Sequence, residues 1–176
     1  MALIDYVKKE EATGKIAQMY QLLEERMHIL PNVIQFNTAS PELFEKMMGF
    51  WQHYMDHPRF DSQMVAWIRL LISHAEGGTY CVRFQSSILR YLGVKEEELS
   101  AAFEDYSKLP MDQKRRDLIV FVVDMMLGNH KDTKFKLVDL RSLGWTDQDI
   151  YEASVLGALQ KGMVQVVKVF QVEIDF

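Results

Sequence analysis

The sequence predicts an all-α fold, and three observations predict it. Apolar residues recur at three- and four-residue steps along almost the whole chain, the period of one helix face. The breaks between these runs carry Pro, Gly or a capping Ser, Thr or Asp where helices start and stop. The two most β-branched stretches, Leu118–Val123 and Met163–Phe170, fit helices better than strands, because their flanks favour helix or their pattern breaks a period of two.

Taken in order, Ile16, Met19, Tyr20, Leu23 and Met27 form the apolar face of a first helix, and Pro31 breaks the chain. Ser40 and Pro41 open a second helix, with Ser40 as cap and Pro41 in the first position. That helix carries Leu43, Met47, Phe50, Trp51 and Tyr54 and ends before Pro58. Asp61 and Ser62 open a third, with Met64, Val65, Ile68, Leu71 and Ile72 inward, until the doublet Gly77-Gly78 interrupts it. A fourth runs from Thr79 to Leu92, and Gly93 stands where a left-handed C-terminal cap is wanted. A short acidic helix follows near Lys95 to Phe103.

Pro110 opens the next long helix. Its run Leu118–Val123 is apolar on every face and calls for burial on most sides, and Gly128-Asn129 ends it. Lys136 to Leu143 is a short helix closed by Gly144. Thr146 caps the last helix, with Asp149 three residues on in the capping-box position. Along that helix Lys161, Gln165, Lys168, Gln171 and Asp175 make a narrow polar stripe. The rest is apolar and needs cover that a small monomer rarely supplies, so a subunit interface is expected.

The length of 176 residues fits one domain, residues 1–176, with no repeat, long linker or low-complexity segment. A net charge of -5 argues against nucleic acid or an anionic membrane as partner, and the run Lys114-Arg115-Arg116 reads as a solvated helix turn. No apolar run approaches the ~20 residues that span a bilayer. The N-terminus lacks the basic-then-apolar order of a signal peptide, so a cytoplasmic location is the default expectation. The single cysteine excludes an internal disulfide framework. The methionine pairs Met47-Met48 and Met125-Met126 read as fillers of the core and of a subunit interface.

Chemistry concentrates in the stretch from Glu76 to Gln85. Cys81 follows Gly78 by three residues, and Gln85 follows Cys81 by four. A Cys-x-x-Cys pair would have its first thiol at Gly78, and a base on the same helix face would sit at Gln85. Cys81 therefore has two readings. Near a helix start it is a thiol activated by the dipole. Alternatively it is a buried cysteine behaving as a small hydrophobe. His74 and Glu76 stand just before the glycine doublet, where a replacement proton relay would work.

His53 and His57, with Asp56 between them, have the spacing of a helical metal pair, but the pair lacks a glutamate base and Pro58 ends the helix. Solvent-exposed polar residues are the better expectation there. His28 and His130 suit helix ends. No phosphate-cradling loop or nucleophile elbow occurs, and no cofactor is expected.

The order of these features resembles the carboxymuconolactone decarboxylase / AhpD-like superfamily, more closely its peroxidase-related branch. The matching segments are Ile4-Asp5-Tyr6-Val7, Ala12–Ala17 with Tyr20, Leu30–Val33, Ser40–Leu43, Ile72–Cys81 and Leu140–Ile150. The resemblance implies an AhpD-like helical bundle whose subunits build the core together as an intertwined homo-oligomer, a homotrimer or homohexamer made from dimers. It also implies a thiol-dependent peroxidase site of one glutamate, two cysteines and a histidine. In that site the thiolate attacks peroxide oxygen and the second thiol resolves the sulfenic acid. The implied glutamate falls on Ala66, the first cysteine on Gly78, the second on Cys81 and the histidine on Gln85.

Three of the four groups are thus replaced, and one chain cannot run the two-thiol cycle. The expected function is an AhpD-like protein with a degenerate site, lacking that cycle and adapted to a small ligand. The alternative is a one-cysteine hydroperoxide reductase using Cys81, with His74 or Glu76 in the relay and an outside thiol reductant. A metal-binding module at His53/His57 is the third reading.

Overall fold

The computed structural model describes residues 2–176. Among them the chain forms nine α-helices, joined by turns and short 3₁₀ segments, and no strand. The helices are α1 (Gly14–Met27), α2 (Asn32–Phe36), α3 (Pro41–Met55), α4 (Ser62–Ala75), α5 (Thr79–Tyr91), α6 (Glu96–Glu104), α7 (Gln113–Met126), α8 (Thr133–Ser142) and α9 (Asp147–Val169).

The chain divides into two compact units. The first comprises the segment up to Asp56 together with Val166–Phe176. Its core gathers Tyr20 and Leu23 of α1, Leu30, Ile34 of α2 and Phe44 of α3, with Met48 and Trp51 packed against them. The Tyr20 hydroxyl donates to the Val7 carbonyl at 2.6 Å and lies 3.0 Å from Thr38 Oγ1, which ties the N-terminal segment down. The inward stripe of α3 is therefore Phe44, Met48 and Trp51, and Leu43, one of the apolar residues read along this helix, is 55 % exposed. Both stripes have helical spacing, so only packing distinguishes them.

The second unit, His57–Gln165, holds α4 to α8 and most of α9. Helices α4 and α5 form an antiparallel hairpin: the turn Glu76–Gly78 joins them at one end, and Gln63 Nε2 donates to the Leu92 carbonyl at 3.0 Å at the other. Asp61 caps α4 by accepting from the Met64 amide at 2.8 Å. In α7, Leu118, Ile119, Phe121, Val122 and Val123 are all buried, as the unbroken apolar run requires. This helix begins at Gln113 rather than at Pro110, because the Asp112 carboxylate accepts from the Arg115 amide at 3.0 Å and proline offers no such cap. Helix α8 begins at Thr133, one turn before the expected Lys136, after Asp132 in the left-handed region.

The Thr146–Asp149 box forms as expected. Thr146 N donates to Asp149 Oδ2 at 2.7 Å, and Asp149 N donates to Thr146 Oγ1 at 3.1 Å. Within the second unit, α9 buries Ile150, Ala153, Leu156, Gln160 and Val164. Gln160, absent from the expected polar stripe, is thus a polar residue on the inward face.

Candidate functional site

The two glycines between α4 and α5 have different causes. Gly77 takes φ 64°, and its amide donates to the His74 carbonyl at 3.0 Å while the Gly78 amide donates to that of Ser73 at 2.8 Å. That arrangement terminates α4 through a left-handed residue. Gly78 has an ordinary φ of -86° but no room for a side chain. A Cβ there would lie 2.6 Å from Val164 Cγ1 and 3.3 Å from the Ser73 carbonyl oxygen. Val164 of α9 thus occupies the space where the resemblance implied a first thiol.

Cys81 is the third residue of α5 and is 6 % exposed. Burial pushes its thiol above the ordinary value, against the opposing field of Arg69 and hydrogen bonding with Gln160 and Ser73. The helix start expected to activate this thiol is outweighed by desolvation. The surroundings are nevertheless polar. Arg69 Nε donates to Gln160 Oε1 at 2.8 Å, Gln160 Nε2 donates to Ser73 Oγ at 2.9 Å, and Ser73 Oγ donates to the Arg69 carbonyl at 2.6 Å. Three helices contribute: α4 supplies Arg69 and Ser73, α5 supplies Cys81, and α9 supplies Gln160.

Among the described residues Arg69 has no carboxylate partner, and Gln160 is its one side-chain acceptor. Desolvation lowers its pKa to about 10, opposed by the Cys81 charge, so it stays a cation at neutral pH. Gln85, one turn beyond Cys81, is 1 % exposed, and neither its Nε2 nor its Oε1 has a partner. Each such buried orphan costs about 1–3 kcal/mol. In this hairpin Arg69 lies one turn before Ser73 in α4, and Gln85 lies one turn after Cys81 in α5. Ala66, at the implied glutamate position, is buried at 2 % and carries no polar group.

The other candidates have separate engagements. The His74 ring is exposed and stacks on Phe103 with centroids 4.3 Å apart. Glu76 pairs with Lys161 at 3.0 Å and accepts from Gln165 Nε2 at 2.9 Å. His53, in the last turn of α3, packs edge-on against Tyr54 at 5.2 Å.

His57 departs from the solvent-exposed expectation, since its side chain is 4 % exposed and stacks on Phe60 at 3.8 Å. Its Nδ1 accepts from the amides of Arg59 at 3.2 Å and Phe60 at 3.1 Å. Those two donors fix the tautomer with the proton on Nε2, which donates to Glu152 Oε2 at 2.7 Å. Coordinating a metal through Nε2 would move the proton to Nδ1, against two N–H groups, so the ring is poorly prepared as a ligand. An open groove of about 640 Å³ elsewhere in the unit is lined by Phe103, Tyr106, Arg116, Phe121 and Lys136, among others.

Sequence reading missed Arg69, Ser73, Gln160 and Val164. A signal existed for the first two: they are polar and four apart, and Arg69 interrupts the apolar run Met64–Ile72.

With the geometry in place, comparison with known proteins gives the fold. No family model matches the chain, and no curated protein matches it. Solved structures match along almost its full length. The alkylhydroperoxidase AhpD core of a peroxidase-related protein from Ralstonia eutropha superposes with a TM-score of 0.85 at 17 % identity, covering 99 % of this chain and 92 % of that one. A peroxidase-related protein from a Silicibacter species gives 0.81 at 16 %, covering 98 % and 88 %. A cysteine-to-alanine variant of the debrominase Bmp8, in complex with 2,3,4-tribromopyrrole, gives 0.80 at 18 %, covering 99 % and 92 %. The chain has the AhpD-like fold of peroxidase-related proteins. Among the described residues no helix is long and apolar enough to cross a membrane.

Proposed function

We propose that the protein is a homo-oligomeric, AhpD-fold binder of a small ligand that does not run the two-thiol peroxidase cycle. The observation that carries this reading is Gly78. Val164 Cγ1 stands 2.6 Å from where a Cβ would lie, so the first thiol is both absent and sterically replaced. Ligand binding in place of redox turnover is supported by a buried polar seam with unused hydrogen-bonding capacity at Arg69 and Gln85. A debrominase of the same fold holds a small aromatic ligand in its cysteine-to-alanine variant. Self-association is supported by exposed apolar side chains such as Phe135, Val138 and Tyr151 in the second unit, and its test is the mass in solution by light scattering.

Hydroperoxide consumption with a dithiol reductant tests the catalytic part. Wild type and Cys81→Ser are expected to consume peroxide at the same background rate. Turnover in wild type that vanishes in the variant would overturn the reading.

One observation favours a second reading: the field of Arg69 opposes the burial that raises the Cys81 thiol pKa. In that reading the thiolate attacks a hydroperoxide oxygen and the O–O bond breaks. The alcohol leaves with a proton, one external thiol condenses with the sulfenic acid to a mixed disulfide and water, and a second external thiol releases Cys81. Its mark is a peroxide-dependent gain of one oxygen atom on Cys81, read by mass spectrometry.

A further inference from the structure

We propose that Arg69, held by Gln160, forms a binding site for a small carboxylate. This rests on the ligand-binding reading above and names the ligand class. Arg69 is a cation set into a helix interface, and among the described residues no carboxylate neutralises it. Its Nε is committed to Gln160 Oε1 at 2.8 Å, which leaves the Nη1/Nη2 edge of the guanidinium as the free fork. That planar edge matches a carboxylate bidentately, a geometry that a single-point anion such as chloride does not use.

The residue is half-buried, and neither Nη atom is among the sealed, partnerless side-chain atoms of the described residues. Gln160 is held in turn by Ser73 at 2.9 Å, so the guanidinium is fixed before any ligand arrives. Gln85, one turn beyond Cys81 in α5, is 1 % exposed with both amide atoms unpartnered, an unspent donor and acceptor on the Cys81 face of that helix. Cys81 does not supply the missing negative charge at neutral pH, because burial holds its thiol protonated.

Sodium benzoate is the probe, with benzamide as the uncharged control of the same shape and sodium chloride and phosphate as other anions. Thermal melting and equilibrium dialysis are read on the full-length protein. Benzoate is expected to raise Tm saturably, by a few degrees, and to bind stoichiometrically, while benzamide and chloride do neither. Arg69→Met is expected to abolish both effects. Should that variant fail to fold, Gln160→Glu replaces it. It places a built-in carboxylate against the guanidinium, so it is expected to melt higher than wild type and to lose benzoate binding.

No benzoate binding to wild type overturns the proposal, as does binding that persists in Gln160→Glu. An equal response to benzamide or phosphate overturns the carboxylate class. Cys81-dependent peroxide turnover would defeat the peroxidase part of the functional reading and leave the benzoate result standing, so the two failures are distinguishable.

Discussion

The second unit contains two buried polar clusters, and they are built in opposite ways. In the cluster around His57, every group has its complement. His57 accepts two amides and donates to Glu152, and Arg59 Nη1 pairs with Asp149 at 2.9 Å. Asp149 also accepts from Thr146 N and Oγ1 at 2.7 and 2.6 Å. Phe60 and Trp145 cover the cluster in edge contact at 5.9 Å, and Arg59 lies over the Trp145 ring at 5.1 Å. In the cluster around Cys81, a guanidinium lacks a carboxylate and an amide lacks any partner. A closed network of this kind fixes chain geometry, whereas open valences cost stability without improving the packing. The contrast separates the structural polar residues of this unit from its functional candidates.

The largest expected effect tests the closed cluster. Asp149→Ala removes the α9 cap and the Arg59 partner together and should destabilise by about 3 kcal/mol in urea unfolding. A loss under a few tenths would mean that the cluster is ornamental and the comparison false. Next comes the filled space at Gly78. Gly78→Cys should cost about 2 kcal/mol through overpacking against Val164, and Val164→Ala in the same chain should recover part of it. The double variant tests whether room, and not only sulfur, separates this chain from a two-thiol site.

The sign reverses in the open cluster. Gln85→Leu removes two orphaned polar atoms and should raise stability by about 1 kcal/mol. If it destabilises instead, Gln85 has a partner in solution, and the cluster is closed like its neighbour. The smallest effect is pH-dependent. The folded-state pKa of Cys81 is raised, so the native state holds its proton more tightly than the unfolded chain does. The stability this contributes is complete below the unfolded thiol pKa and is lost as pH rises towards the folded one. Unfolding free energy should therefore decline more steeply in wild type than in Cys81→Ser on the alkaline side of the ordinary thiol range.

Most helices were legible because their signals are local. The α1 face around Tyr20 and Leu23, the Asp61 start of α4 and the Thr146–Asp149 box each depend on residues within a turn or two. The errors were of face and of start. Leu43 and Phe44 both lie on helical stripes of α3, and periodicity alone cannot choose between them. Pro110 suits a first turn, but Asp112 satisfies an amide. His57 looked exposed because the acidic partner that buries it, Glu152, is 95 residues away.

By itself the sequence determined the all-helical architecture and set Ala66, Gly78 and Gln85 where the resemblance implies a glutamate, a cysteine and a histidine. Periodicity, caps and residue identity are properties of short segments, so both could be read without knowing which helix meets which. Only the tertiary structure decided what took their place. Gln160 reaches Arg69 across 91 residues and Ser73 across 87, and Val164 closes on Gly78. Those contacts exist because α9 lies against the α4–α5 hairpin, and such long-range juxtaposition is set by core packing, which leaves no local mark on the chain.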